Sequence, residues 1–204
     1  MKNKLSAKAI LIPTVSLFLI CAVVTAILAL TNSVTADKIA ENEAESKQNS
    51  MFSVVPEAKS FDVITEDVMY RGKDAAGGTV GYAISTAVQG YGGQVKVMTG
   101  IDDNGVIIGV DVFYNDDETP GLGKNTSNAS FRDQYKGLSV YTDIVVSKDN
   151  TAENAQTVDA VTSATISSRA VTRAVNEACR IYNEYTGADD SAAASSKIDE
   201  KEAK

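Results

Sequence analysis

The groups best able to do chemistry are gathered in one stretch, Asp159-Ala-Val-Thr-Ser-Ala-Thr165-Ile-Ser-Ser168. It holds hydroxyls at Thr162, Ser163, Thr165, Ser167 and Ser168, a small side chain at Ala164 and a single acid at Asp159, and it leads into a helical pattern. Two roles fit these residue types. Thr162, Ser163, Thr165 or Ser167 could close the helix as a side-chain N-cap. Alternatively, the free N–H groups and positive dipole end of the helix could receive an anion such as phosphate, with Ser163 and Ala164 small enough to let it approach. Local physics leaves both open and names no anion.

The residue types that are missing narrow the chemistry further. There is no histidine, which removes histidine acid–base catalysis, Ser-His-Asp triads and most zinc sites. Cys21 lies in an apolar run and Cys179 in the helical pattern, so no C-x-x-C exists for haem or iron–sulfur ligation. No metal site and no catalytic side-chain set is expected. Redox chemistry would have to come from an organic cofactor.

The elements that must position this stretch read as follows. Residues 67–72, 78–90, 94–102 and 105–115 alternate with period two and form four successive strand candidates. Gly77-Gly78 and Asp103-Asn104-Gly105 are turn signals between them. Gly90-Tyr91-Gly92-Gly93 requires either positive φ angles or a close backbone approach. A turn-rich stretch, a short amphipathic piece at Phe131 to Tyr135 and a further strand at Tyr141 to Lys148 come next. From Ser167 to Tyr185 the apolar period is helical, through Val171, Ala174, Val175, Ala178, Ile181, Tyr182 and Tyr185, with Gly187 as the stop. Cys179 borders that stripe as a packing thiol. Tyr82, Tyr91, Tyr114, Tyr135 and Tyr141 could stack on a flat aromatic cofactor, but most read as sheet and edge packing, and none is assigned to a site. The fold class is α+β, a largely antiparallel sheet packed with a C-terminal helix.

Ahead of this domain, no charged residue occurs from Ala9 to Leu30, a run long enough to cross a bilayer core as a helix and too long for a secretory signal. Lys2, Lys4 and Lys8 precede it, so the N-terminus is expected in the cytoplasm and everything beyond Leu30 outside. All 27 acids but only 16 of the 19 basic residues follow Leu30, giving the outer part a net charge of −11. So acidic a body is a poor nucleic-acid binder. The expected organisation is a cytoplasmic N-terminus at 1–8, a retained transmembrane helix at 9–30, a polar connector at 31–60, a folded domain at 61–186 and a disordered tail at 187–204.

The stretch from Asp159 to Thr165 closely resembles the D-x-x-S-G-A-T motif of the covalent-FMN protein family, which includes the G subunit of the Rnf complex and the C subunit of the sodium-pumping NADH:quinone reductase. In one departure, Ser163 stands where the family has glycine, with Thr162 in the usual serine position. The resemblance implies FMN attached to Thr165 through a phosphoester, installed by a separate magnesium-dependent flavin transferase, with Asp159, Ser163 and Ala164 as recognition positions and Thr162 among the cofactor-binding residues. Glu118-Thr119-Pro120-Gly121-Leu122-Gly123 resembles the family's E-T-P-G-L-G loop, implying that Glu118, Thr119, Gly121, Leu122 and Gly123 lie against the flavin. Gly90 to Gly93 resembles its upstream glycine-rich segment. The function so implied is that of a covalent-FMN electron-transfer subunit, an FMN-binding domain on one anchor. It would work with the other membrane subunits of an Rnf-type ion-translocating ferredoxin:NAD oxidoreductase. The alternatives are the C subunit of the quinone reductase, a free-standing extracellular flavin relay and a non-redox binding module.

The topology can be tested directly. Ser195→Cys in a Cys21→Ser, Cys179→Ser background should react with a membrane-impermeant thiol reagent in intact cells or spheroplasts. Labelling that appears only after lysis would place the domain in the cytoplasm.

Overall fold

The computed structural model describes residues 7–147 and 155–187. Their elements are α1 (Ala7–Val54), β1 (Ser60–Thr65), β2 (Met69–Lys73), β3 (Thr79–Gln89), β4 (Gln94–Ile101), β5 (Ile107–Tyr114), α2 (Ala129–Arg132), β6 (Ile144–Val146), β7 (Gln156–Val158) and α3 (Thr165–Thr186). Short 3-10 turns at Gly123–Ser127 and Asp133–Tyr135 flank α2. Two compact units divide between Ala44 and Glu45.

The first unit is helical. Its side chains from Ile10 to Leu30 are all exposed, and the most apolar window has a mean hydropathy of 2.6. In water such a surface would be strongly unfavourable, at about 25 cal/mol per Å² of apolar area; in lipid it carries no such penalty. Pro13 lies inside the helix, and Thr14 Oγ1 donates to the Ile10 carbonyl at 2.8 Å. The polar residues Ala36 to Lys47 continue the same helix.

In the second unit α1 stops at Val54, two residues before Pro56, which has no N–H with which to extend it. Strands β1 to β5 then form an antiparallel meander in sequence order. The four sequence-predicted strands appear as β2 to β5. β1 is an additional strand that the sequence pattern does not announce, because it is an edge strand exposed at four of six positions and shows no alternation. The strand expected at Tyr141 to Lys148 is confined to Ile144–Val146 among the described residues, and it pairs in parallel with β7. Lys148 and the expected tail beyond Gly187 lie outside the described residues.

Period two sorts the sheet's side chains between two cores. Ile84, Val95, Val97 and Val110 face α3, where Val171, Ala174, Val175, Ala178 and Tyr182 complete one cluster. Ala83 and Met98 point the other way and meet Val54, Val55 and Ala58 at and just beyond the end of α1. Two glycines admit that second contact. A Cβ on Gly100 would overlap the Val54 carbonyl, and one on Gly109 would lie 3.0 Å from Val54 Cα. Cys179 is a core thiol as expected, and burial pushes its pKa up to about 12, so it is chemically quiet. Gly187 closes α3 at φ 72° with its N–H on the Asn183 carbonyl.

Gly100→Ala should therefore destabilise the domain by about 1–3 kcal/mol, the usual range for overpacking. Thermal unfolding of the detergent-solubilised chain reads this. An unchanged midpoint would mean that the end of α1 does not pack on the sheet.

Candidate functional site

Three segments distant in sequence meet at one end of the domain, and Glu118 joins them. Its side chain is only 2% exposed. Oε1 accepts the N–H of Tyr91 at 2.7 Å and that of Gly92 at 3.3 Å, while Oε2 accepts the Ser167 hydroxyl at 2.7 Å. One carboxylate thus ties the β3–β4 turn to the first turn of α3. Among the described residues no lysine or arginine is paired with it, and the nearby Lys124 pairs instead with Asp116 at 3.0 Å. A buried charge of this kind must be met by hydrogen bonds, and here neutral donors supply them.

The glycines around it follow from this packing. A Cβ on Gly90 or Gly123 would overlap the Glu118 carboxylate, and one on Gly92 would overlap the Asp117 carbonyl. None of Gly90, Gly92 and Gly93 has positive φ, so close approach is the reason for the cluster. Pro120-Gly121 makes a turn with the Leu122 N–H on the Thr119 carbonyl at 3.1 Å and Gly121 at φ 78°, the type II pattern.

At the start of α3 the structure corrects the capping expectation. The N-cap residue is Ala164, and no side chain caps the helix. Thr162, Ser163 and Thr165 do not cap, and Ser167 is spent on Glu118. Ser168 instead accepts the Val161 N–H at 3.0 Å and donates to the Ala164 carbonyl at 2.9 Å. Thr165 is the first helical residue, and no hydrogen bond engages its hydroxyl among the described residues. Ser163 takes up φ 61°, the left-handed region. That is the position where the resembling motif has glycine, the residue that adopts it without strain.

Two adjoining clefts divide the sequence-predicted residues. One, of about 590 Å³, is lined by Tyr91, Glu118, Thr119, Leu122 and Gly123 on one side and by residues 163–167 on the other. It brings together Thr165, Ser163, Ala164, Glu118, Thr119, Leu122 and Gly123. The second, of about 550 Å³, takes in Asp159, Thr162 and Gly121, and shares Leu122 and Ser163 with the first. Asp159 there accepts the Ser147 hydroxyl at 2.8 Å and is held through its backbone by Gln134. Ile166 joins the site although sequence reasoning misses it, and so do Ser167, expected only as a hydroxyl or helix cap, and Tyr91, not assigned to the site from sequence. Tyr91 is 69% exposed at the cleft, and its place in a glycine turn rather than a strand is the available signal. Ile166 is apolar yet out of phase with the buried stripe of α3.

The strain at Ser163 is measurable. A left-handed conformation costs a non-glycine residue about 1–2 kcal/mol, against about 0.4–1 kcal/mol of extra unfolded freedom in glycine. Ser163→Gly should therefore raise the thermal midpoint, by about 0.5 kcal/mol in stability. A lowered midpoint would show that the Ser163 side chain stabilises the turn.

Residues 90–180 match the FMN-binding domain family, and residues 1–54 match the RnfG N-terminal region. The chain is 37% identical over 185 residues to the G subunit of the Na(+)-translocating ferredoxin:NAD(+) oxidoreductase complex of Acetobacterium woodii, covering 81% of this chain and 88% of that protein. It is 31% identical to the G subunit of the ion-translocating oxidoreductase complex of Methanosarcina acetivorans, covering 80% and 89%. Among solved structures, the C subunit of the Na(+)-translocating NADH-quinone reductase from Parabacteroides distasonis shares the fold, with a TM-score of 0.55 at 16% identity over 71% of this chain and 92% of that one. With α1 long and apolar enough to span a bilayer and relatives of this kind, the chain is a membrane protein, and it belongs to the G-subunit family of Rnf-type ion-translocating oxidoreductase complexes, built on an FMN-binding domain.

Proposed function

We propose that this chain is the electron-transfer G subunit of an Rnf-type ion-translocating ferredoxin:NAD oxidoreductase and holds FMN as a phosphoester on Thr165. The observation that carries the attachment is the state of Thr165. Thr165 lines the cleft, and its hydroxyl has no hydrogen-bond partner among the described residues, at the first position of a 22-residue helix whose end no side chain caps. The first N–H groups of α3 are left free for phosphate oxygens, and the dipole favours the negative charge there. Ala164 and Ser163 leave room beside it.

The rest of the cleft fits the group as well. Its volume of about 590 Å³ lies within the usual range for small-molecule sites, roughly 300–1,000 Å³. Tyr91, Leu122 and Ile166 are exposed apolar groups on its walls, suited to a flat ring system. FMN would supply the capacity to take up and pass on electrons. The chain's own residues would bind, orient and shield it: the start of α3 would hold the phosphate, the Thr119–Gly123 turn and Tyr91 would bound the ring, and Glu118 ties the two sides of the cleft together.

The second cleft, with Asp159 and Thr162 on its wall, offers a surface that the flavin transferase could recognise during maturation. Lys2, Lys4 and Lys8 ahead of the apolar run support an extracytoplasmic flavin domain, and the other membrane subunits of the complex are its electron partners. The expected segment boundaries at 8, 30, 60 and 186 belong to this same reading.

Thr165→Val keeps the side chain's shape and removes the hydroxyl needed for the ester. After co-expression with a flavin transferase, the wild-type chain should fluoresce in a denaturing gel and the valine variant should be dark. Fluorescence retained by the variant would move the attachment elsewhere, with Thr162 the next residue to test.

A further inference from the structure

We infer that Glu118 sets the electron affinity of the flavin: its buried negative charge lowers the reduction potential of whatever redox group the cleft holds. This rests on the reading that the cleft holds FMN, and it adds a residue role that the resemblance does not supply. The carboxylate lines the same cleft as Thr165, yet both of its oxygens are occupied within the chain by Tyr91, Gly92 and Ser167. It therefore acts on the cofactor through position and field.

Three features make the field strong. At 2% exposure, Glu118 is shielded from water and from salt, so its charge is poorly screened. Among the described residues no lysine or arginine is paired with it. Its three donors are neutral, and they hold it against the cleft in one orientation. Adding electrons to a group in this cleft adds negative charge beside a fixed negative charge. The oxidised state is favoured, and the bound group becomes a stronger donor. Asp117, the next acid in the chain, is exposed, and solvent damps its field.

Glu118→Gln separates charge from structure. The amide oxygen can still accept from Tyr91 and Gly92, and the amide nitrogen can donate to the Ser167 hydroxyl, which turns to accept. The chain is flavinylated by co-expression, purified in detergent and titrated with dithionite against a reference dye. Glu118→Gln should raise the ratio of reduced to oxidised flavin at a given poise about tenfold, which is about 30 mV for a two-electron couple. Asp117→Asn should move it less than twofold. A shift for Glu118→Gln no larger than that of Asp117→Asn, in a variant that melts like wild type, overturns the inference. If Glu118→Gln fails to fold, Ser167→Ala replaces it. That variant keeps the charge and removes one neutral donor, so the ratio should fall; an unchanged or raised ratio overturns the inference. A wild-type chain that takes up no flavin would instead refute the reading of the cleft, leaving a different experimental signature.

Discussion

A single desolvated carboxylate governs the architecture of the site. Removing a charge from water costs several kcal/mol unless its lone pairs are filled, so Glu118 can be buried only where donors converge on it. Those donors come from the β3–β4 turn and from α3, segments 27 and 49 residues away in the chain. Bringing both close enough leaves no room for side chains between them, and this is why glycine stands at Gly90, Gly92 and Gly123. The E-T-P-G-L-G loop is thus a clamp as well as a wall. Its glutamate closes the cleft from behind, and its turn at Gly121 presents Leu122 to the cavity.

The clamp works because the sheet beneath it is held on both faces. α3 covers one face with small residues, Ala170, Ala174 and Ala178, which let it lie close to the strands. The end of α1 covers the other face, seated over Gly100 and Gly109. Thr86 reaches from β3 to donate to the Ala174 carbonyl at 3.0 Å, and the Tyr135 hydroxyl meets Thr172 at 2.8 Å, fixing α3 along its length. A helix so constrained presents its first turn at a defined place. Preorganisation of this kind allows a cofactor domain to hold its group without rearranging.

Much of this is legible in the sequence, and what is not has identifiable physical causes. Strands β2 to β5 and the body of α3 declare themselves because one face of each is buried and the period shows. β1 touches the cores only through half-buried Phe61 and Ile64, three residues apart, so it writes no period-two pattern, and the start of α3 is polar, so it begins two residues ahead of its visible period. The glycine turn announces a constraint without saying which, and the structure decides for close approach. The role of Glu118 cannot be read locally, since a glutamate that clamps and one that merely faces solvent look alike until its partners are known. The left-handed backbone at Ser163 is likewise hidden: serine gives no signal of positive φ, and only the glycine of the resembling motif points there.

The rules that fail locally fail together. Between Thr162 and Thr165 the chain offers several good capping residues and uses none, placing Ala164 at the N-cap, a choice worth about 1 kcal/mol against the helix. One residue earlier it accepts a strained serine. A sequence selected for stability alone would remove both features, so their coincidence at one turn calls for a compensating gain. In the proposed holoprotein that gain has a specific source. A phosphoryl group on Thr165 would bring to the helix end the acceptor oxygens that a cap would have supplied, with more charge than any hydroxyl could. Exposed N–H groups, an unengaged hydroxyl and a strained turn coincide at one helix end that the polypeptide leaves incomplete, and under the proposed attachment the cofactor would complete it.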